Sequence, residues 1–78
     1  MKLTALDKFE YIRLEARHAI RISLDMKASR EVKSDHMRRV RAAIAIRDDY
    51  EKLARAENPD WQPEWAAIER HYDGKVTS

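Results

Sequence analysis

The sequence predicts an all-α fold, in which two long antiparallel helices form a hairpin and a shorter third helix packs across them. Glycine and proline are scarce, with one and two among 78 residues, whereas strand proteins need turn residues every 8–12 positions or so. Large apolar residues recur at three- and four-residue steps, which is the period of a helix. Charged residues make up 38% of the chain, a composition typical of helical bundles.

The first helix is expected at about residues 5–27. Thr4 can cap it by accepting a hydrogen bond from the backbone N–H of Asp7. One apolar face follows, made of Leu6, Phe9, Ile12, Ala16, Ala19, Ile20 and Met26. Tyr11, Leu14 and Ile22 fall outside that face and predict a second buried surface, in a dimer or against a partner. The alternative is that Leu14 packs at the edge of the core and Tyr11 lies flat on the surface.

Arg13, Arg17 and Arg21 follow one another at four-residue spacing and form a basic stripe on the first helix. Glu10 can pair with Arg13 and so neutralise part of this charge. Exposed pairs of this kind are worth about 0–1 kcal/mol. The stripe is therefore expected to be solvated.

The second helix is expected at about residues 35–57, beginning at Ser34 or Asp35. Because no Gly or Pro occurs before Glu57, one uninterrupted helix from Ala5 to Glu57 is the alternative. The apolar face of the second helix consists of Met37, Val40, Ala43, Ile44, Ile46, Tyr50, Leu53 and Ala54. Arg47 lies near the middle of that face. It either extends to solvent or meets a carboxylate of the first helix, which is the preferred interpretation, or it serves as an interface arginine.

The third helix is expected at about residues 61–73. Asn58–Pro59 ends the second helix, and Asp60 can cap the third, with Pro63 in its first turn. One face of this helix is apolar and consists of Trp61, Trp65, Ile68 and Tyr72. Gly74 fits the position just after the helix, and residues 75–78 are expected to fray. The tryptophans either cover the open side of the hairpin or anchor a partner; the first interpretation is preferred because so small a chain needs them in its core.

Composition excludes several classes of protein. Without cysteine there are no disulfides and no thiolate-bound metal, which favours a reducing compartment. Charges interrupt the first twenty residues, so no secretory signal is expected. No apolar stretch approaches the roughly 18 residues of a membrane span. The expected location is the cytoplasm, with no membrane contact.

No residue pattern predicts catalysis. His18, His36 and His71 lie too far apart in sequence for the local spacing of zinc ligands. Adjacent Asp48 and Asp49 point about 100° apart on a helix and form no acid–base pair. We therefore expect no enzyme activity, no metal, no cofactor and no small-molecule substrate.

Charge is distributed unevenly along the chain. Residues 1–41 hold eleven Lys/Arg against six Asp/Glu, a net +5, and residues 42–78 hold five against eight, a net −3. Such asymmetry favours an acidic partner or pairing of the chain with itself. An alternative is a solvated helical surface with opposed charges.

The expected function is a homodimeric, non-enzymatic protein–protein interaction module that acts as an inhibitor, adaptor or regulatory subunit of a larger complex. Its size and class also fit phage and mobile-element inhibitors such as anti-CRISPR proteins. The candidate partner-binding residues are Arg38, Arg39, Arg41, Arg47, Tyr11, Leu14 and Ile22. The alternative is a small DNA- or RNA-binding regulator that uses Lys33, Arg38, Arg39 and Arg41 on phosphates.

Overall fold

A computed structural model of the chain describes residues 2–25 and 27–77. Within them lie three helices, α1 (Ala5–Asp25), α2 (Arg30–Glu57) and α3 (Ala66–Thr77), and no strand. α1 and α2 pack closely along each other, and α3 packs against them less extensively. The all-α prediction is confirmed, and residues 27–29 separate the two long helices.

Two contacts fix the antiparallel direction of the α1–α2 hairpin. At its open end the backbone N–H of Ala5 donates to Glu57 Oε2 at 3.3 Å. Toward the turn His36 Nε2 donates to the carbonyl of Ala19 at 3.1 Å. The start of one long helix therefore lies beside the end of the other.

α1 begins as the sequence predicts. The backbone N–H of Asp7 donates to Thr4 Oγ1 at 3.1 Å, and the N–H of Thr4 donates to Asp7 Oδ2 at 3.1 Å. This reciprocal arrangement satisfies two N–H groups that would otherwise lack partners. Phe9, Ala16 and Ile20 of the predicted apolar face are buried, and Met26 lies outside the described residues.

α2 begins about five residues earlier than the prediction of Ser34 or Asp35. Ser29 is its N-cap, in an extended conformation, and its side chain accepts from the N–H of Val32 at 3.4 Å. Ser34 and Asp35 are exposed residues within the helix. The positive end of a helix dipole disfavours cations mainly in the first turn. Because α2 begins at Arg30, Arg38, Arg39 and Arg41 lie beyond that turn.

The predicted bounds of the third helix are wrong at both ends. The N–H of Trp61 donates to the carbonyl of Asn58 at 3.0 Å in a turn that contains Asp60, so Asp60 caps no helix. Pro63 also disfavours helical geometry at the residue before it, and α3 begins only at Ala66. Gly74 lies within α3 without a positive φ.

The core consists of two apolar clusters. Near the hairpin turn, Ile20, Val40 and Val76 pack together, with Ala19, Met37, Ile44 and Tyr72 around them. Val76 is 7% exposed, and its burial holds the last turn of α3 in place. The fraying predicted for residues 75–78 is therefore not seen up to Thr77. Ser78 lies outside the described residues.

The second cluster lies toward the open end of the hairpin. The ring of Phe9 stacks on Trp65 at 5.3 Å between centroids and meets Trp61 edge-on at 5.2 Å. The tryptophans therefore complete the core, as the preferred interpretation has it. Ile68 was predicted to lie on the same buried face as the tryptophans, but its side chain is 53% exposed.

Candidate functional site

Between the two apolar clusters lies a group of buried charges contributed by all three helices. Arg47, only 4% exposed, donates through Nη1 and Nη2 to the two carboxylate oxygens of Asp73, at 3.2 and 2.5 Å. Its Nη2 also donates to Asp48 Oδ1 at 3.0 Å. A carboxylate does meet Arg47, but it comes from α3 and α2, whereas the sequence-based interpretation assigned it to the first helix.

Arg13 joins α1 to the same group. Its guanidinium donates to Glu69 Oε1 at 2.9 Å and to Glu10 Oε2 at 3.1 Å, which confirms the predicted pair with Glu10. The same group lies over the ring of Trp65, 4.2 Å from its centroid. Arg13 is thus largely withdrawn from the basic stripe that was expected to be solvated.

Burial and charge pairing act in opposite directions on these groups. Burial lowers the pKa of Arg47, but the hydrogen bonds and charges of Asp73 and Asp48 outweigh it and raise that pKa. Burial likewise lowers the pKa of Arg13, but the hydrogen bonds that Arg13 donates to Glu69 and Glu10, together with their charges, outweigh burial and raise that pKa. For Glu69, which is 3% exposed, burial raises the pKa, although Arg13 opposes the shift.

The free space beside these charges is about 10 Å³, bordered by Phe9, Trp65 and Glu69 among others. That volume holds about one water molecule, so no substrate fits there. The charged groups pair with one another across the three helices. Their arrangement fastens α3 to the hairpin.

The histidines do not come together as a site. His18 and His71 are exposed on different helices, and His36 is bound to the carbonyl of Ala19. Among the residues that the structure describes, no group of three or more His, Asp or Glu side chains could hold a metal ion.

Large apolar side chains are prominent on the surface. Tyr11 is 68% exposed, and Leu14 and Ile22 are exposed as well, as expected for residues outside the core face of the first helix. On the opposite helix of the hairpin, Ile46 and Leu53 belonged to the predicted core face of the second helix but are exposed.

A groove of about 310 Å³ runs between α1 and α2, and its lining includes no residue of α3. We call the surface around it the groove face, defined by Leu3, Tyr11, Ile12, Ile46, Tyr50 and Leu53. Lys8 supplies the charged side chain of the groove lining. Leu53 extends the line of Ile46 and Tyr50, since it follows them at helical spacing.

A different surface follows the outer side of α1. Two shallow depressions there share His18 and Arg21, and they are bordered further by Leu14, Arg17 and Ile22, among others. We call these five residues the α1 surface. It combines two predicted partner residues, Leu14 and Ile22, with two arginines of the predicted stripe.

The predicted arginine patch of α2 is exposed. Arg38, Arg39 and Arg41 all face solvent, as does Lys33, and Arg39 lies 3.7 Å from Asp35. Arg47 does not belong with them, because its guanidinium is buried among carboxylates.

No protein-family model, curated protein or solved structure matches this chain. None of the helices in residues 2–25 and 27–77 combines the length and the apolar character that crossing a bilayer requires. The interpretation of function therefore depends on the surfaces described above.

Proposed function

We propose that this chain is a homodimeric, non-enzymatic protein–protein interaction module that occupies a surface on a larger, partly acidic target, as an inhibitor, adaptor or regulatory subunit. The supporting observation is the excess of apolar surface. Among the described residues nine large apolar side chains are exposed, whereas four, Phe9, Ile20, Val40 and Val76, are buried. Exposed apolar residues that lie together mark interaction sites on soluble domains, and Leu3, Tyr11 and Ile46 share one groove.

The α1 surface has the composition of a target-binding site. Leu14 and Ile22 offer apolar anchors, and Arg17 and Arg21 stand beside them. Arginine is enriched in the cores of interfaces, and at their rims it selects partners of opposite charge. An acidic segment with apolar side chains is the partner that this combination fits.

The test compares two charge-matched double variants as bait. Leu14→Glu/Arg21→Glu alters the α1 surface, and Ile68→Glu/Lys52→Glu makes the same change of net charge at exposed positions elsewhere. Each is immobilised beside the wild type and exposed to lysate of the source cells, and retained proteins are identified by mass spectrometry and re-measured in purified form. We expect a protein that the wild type and the second variant retain and the first loses.

If the three baits retain the same proteins, the α1 surface has no partner and the proposal fails. Circular dichroism of both variants checks that each remains helical. All four substituted positions are exposed, so neither variant disturbs the core.

Nucleic-acid binding is the second candidate, and the exposure of Lys33, Arg38, Arg39 and Arg41 on one stretch of α2 favours it. Fluorescence anisotropy with random duplex DNA and with single-stranded RNA at low salt tests it. Binding that falls steeply with salt and is lost in Arg38→Ala/Arg41→Ala would replace the protein-partner proposal. Absence of binding at low salt eliminates this candidate.

A further inference from the structure

We propose that the groove face is covered by a second copy of this chain, with the two hairpins antiparallel, so that four helices enclose a shared apolar layer and each α3 lies on the outside. This inference rests on the homodimeric state proposed above and adds the surface and the orientation. Three independent features support it.

The first feature is a row of positions on α2 that contains Ile46 and Leu53 of the groove face. Val32, Arg39, Ile46 and Leu53 follow one another on α2 at intervals of seven residues, and all four are exposed. Three of the four positions are apolar, and recurrence every seven residues keeps them on the one side of α2 along which another helix can pack. The row spans most of α2, and its four side chains remain exposed although α1 packs along the same helix.

The second feature is the amount of surface. The accessible surface of the chain is 5891 Å², whereas a monomer of 9.2 kDa is expected to expose about 4,900 Å². The excess of roughly 1,000 Å² is comparable with the approximately 800 Å² that each partner buries in a standard interface. The Cα radius of gyration, 13.7 Å, likewise exceeds the value of about 11.5 Å for a compact domain of this length.

Shape explains that excess. The molecule extends 42 × 27 × 15 Å along its principal axes, so it is a flat layer, which exposes more surface than a compact domain of the same mass. The groove lies between α1 and α2 without any lining residue from α3. A second layer of the same kind would cover it.

The third feature is charge. The turn half of the hairpin, residues 17–41, holds eight Lys/Arg against three Asp/Glu, a net +5. The open half, residues 1–16 and 42–64, holds six against nine, a net −3, and residues 65–78 are balanced with two of each. In an antiparallel pair the basic half of each copy lies over the acidic half of the other, whereas a parallel pair would bring like charges together.

Association is tested with two exposed isoleucines. Ile46→Arg puts a charge into the groove face, and Ile68→Arg makes the same change on α3, where the side chain is 53% exposed. Sedimentation equilibrium of the wild type should show a dimer at tens of micromolar. We expect Ile46→Arg to raise the dissociation constant by about 30-fold or more, because an unpaired charge is buried, and Ile68→Arg to change it by less than about threefold.

Orientation is tested by cross-linking, which the absence of cysteine makes specific. Val32 and Leu53 lie about equally far from the middle of α2, near its two ends. When Val32→Cys and Leu53→Cys variants are mixed and treated with a short bismaleimide, an antiparallel pair gives the mixed 32–53 product in excess of either like-with-like product. Added salt should weaken the association, since it screens attraction between the opposite halves.

A strictly monomeric wild type at these concentrations overturns the inference, as does a dimer that Ile46→Arg leaves intact. Preferential like-with-like cross-links would overturn the antiparallel orientation. A monomer that still retains a target through Leu14 and Arg21 would remove the dimer from both proposals and leave the interaction module standing. Failure of the inference therefore remains distinguishable from failure of the target-binding function.

Discussion

Replacing Arg47 with methionine should remove most of the stability of the fold. Methionine keeps an unbranched side chain of similar reach but leaves the carboxylates of Asp73 and Asp48, and that of Glu69 at 3.9 Å, without this cation. Removing one partner of a buried ion pair costs about 3–5 kcal/mol, and Arg47 binds both carboxylate oxygens of Asp73. A single core in so short a chain supplies only about 3–5 kcal/mol. The variant should therefore be largely unfolded at 25 °C.

Urea denaturation followed by far-UV circular dichroism measures this effect. Arg41→Met is the matched control, since Arg41 is exposed on the same helix, and it should change the free energy of unfolding by no more than about 0.5 kcal/mol. In a second variant, Arg47→Met/Asp73→Asn, part of the loss should be recovered because one buried charge is removed with its partner. A single variant Arg47→Met that stays within about 1 kcal/mol of the wild type would refute this account of the buried charges.

Three further changes test other parts of the fold. Thr4→Ala should lower the free energy of unfolding by about 1 kcal/mol, because the N–H of Asp7 loses its partner; an unchanged urea midpoint would contradict it. Gly74→Ala should raise the free energy of unfolding by about 0.5–1 kcal/mol, since Gly74 is helical without a positive φ and an added Cβ meets nothing within 4 Å. A fall in melting temperature would show that α3 does not continue through this position. Burial raises the pKa of Glu69, so its contribution to stability is fully present below the ordinary glutamate range and is lost as pH rises through the folded-state pKa. The stability of the wild type relative to Glu69→Gln should therefore decline as pH rises from about 4 to 7, and a relative stability that grows with pH would contradict the shift.

The helices themselves were predictable because their signals are local. Apolar spacing identified the inward side of α1, and Thr4 and Asn58–Pro59 marked two helix ends correctly. The start of α2 was missed because two serines, Ser29 and Ser34, can each cap a helix. Which of the two caps α2 depends on how the hairpin packs, and α2 begins at Arg30, five positions after the last residue of α1.

The buried charges were beyond the reach of sequence reasoning. Arg47 and Asp73 are 26 residues apart, and Arg13 and Glu69 are 56 apart, so no local spacing indicates these pairs. The available signal was an arginine near the middle of an apolar face. A carboxylate of the first helix was one of the outcomes that this signal allowed, but the carboxylates come from Asp73 and Asp48. The helix that supplies Asp73 depends on where α3 packs, and α3 was itself placed five residues too early.

The two proposed surfaces act together because they do not overlap. Leu14 and Arg21 belong to the α1 surface and line no part of the groove, so a dimer formed through the groove face leaves both copies of the α1 surface free. A dimer therefore presents two target sites, and a surface that displays many targets should retain it more strongly than it retains a monomer, through effective concentration alone. The variant Ile46→Arg separates these contributions. On a sparsely loaded target surface the Ile46→Arg variant should bind as the wild type does, whereas on a densely loaded surface it should dissociate faster than the wild type. If the variant and the wild type dissociate equally fast at both densities, the two sites of a dimer do not cooperate.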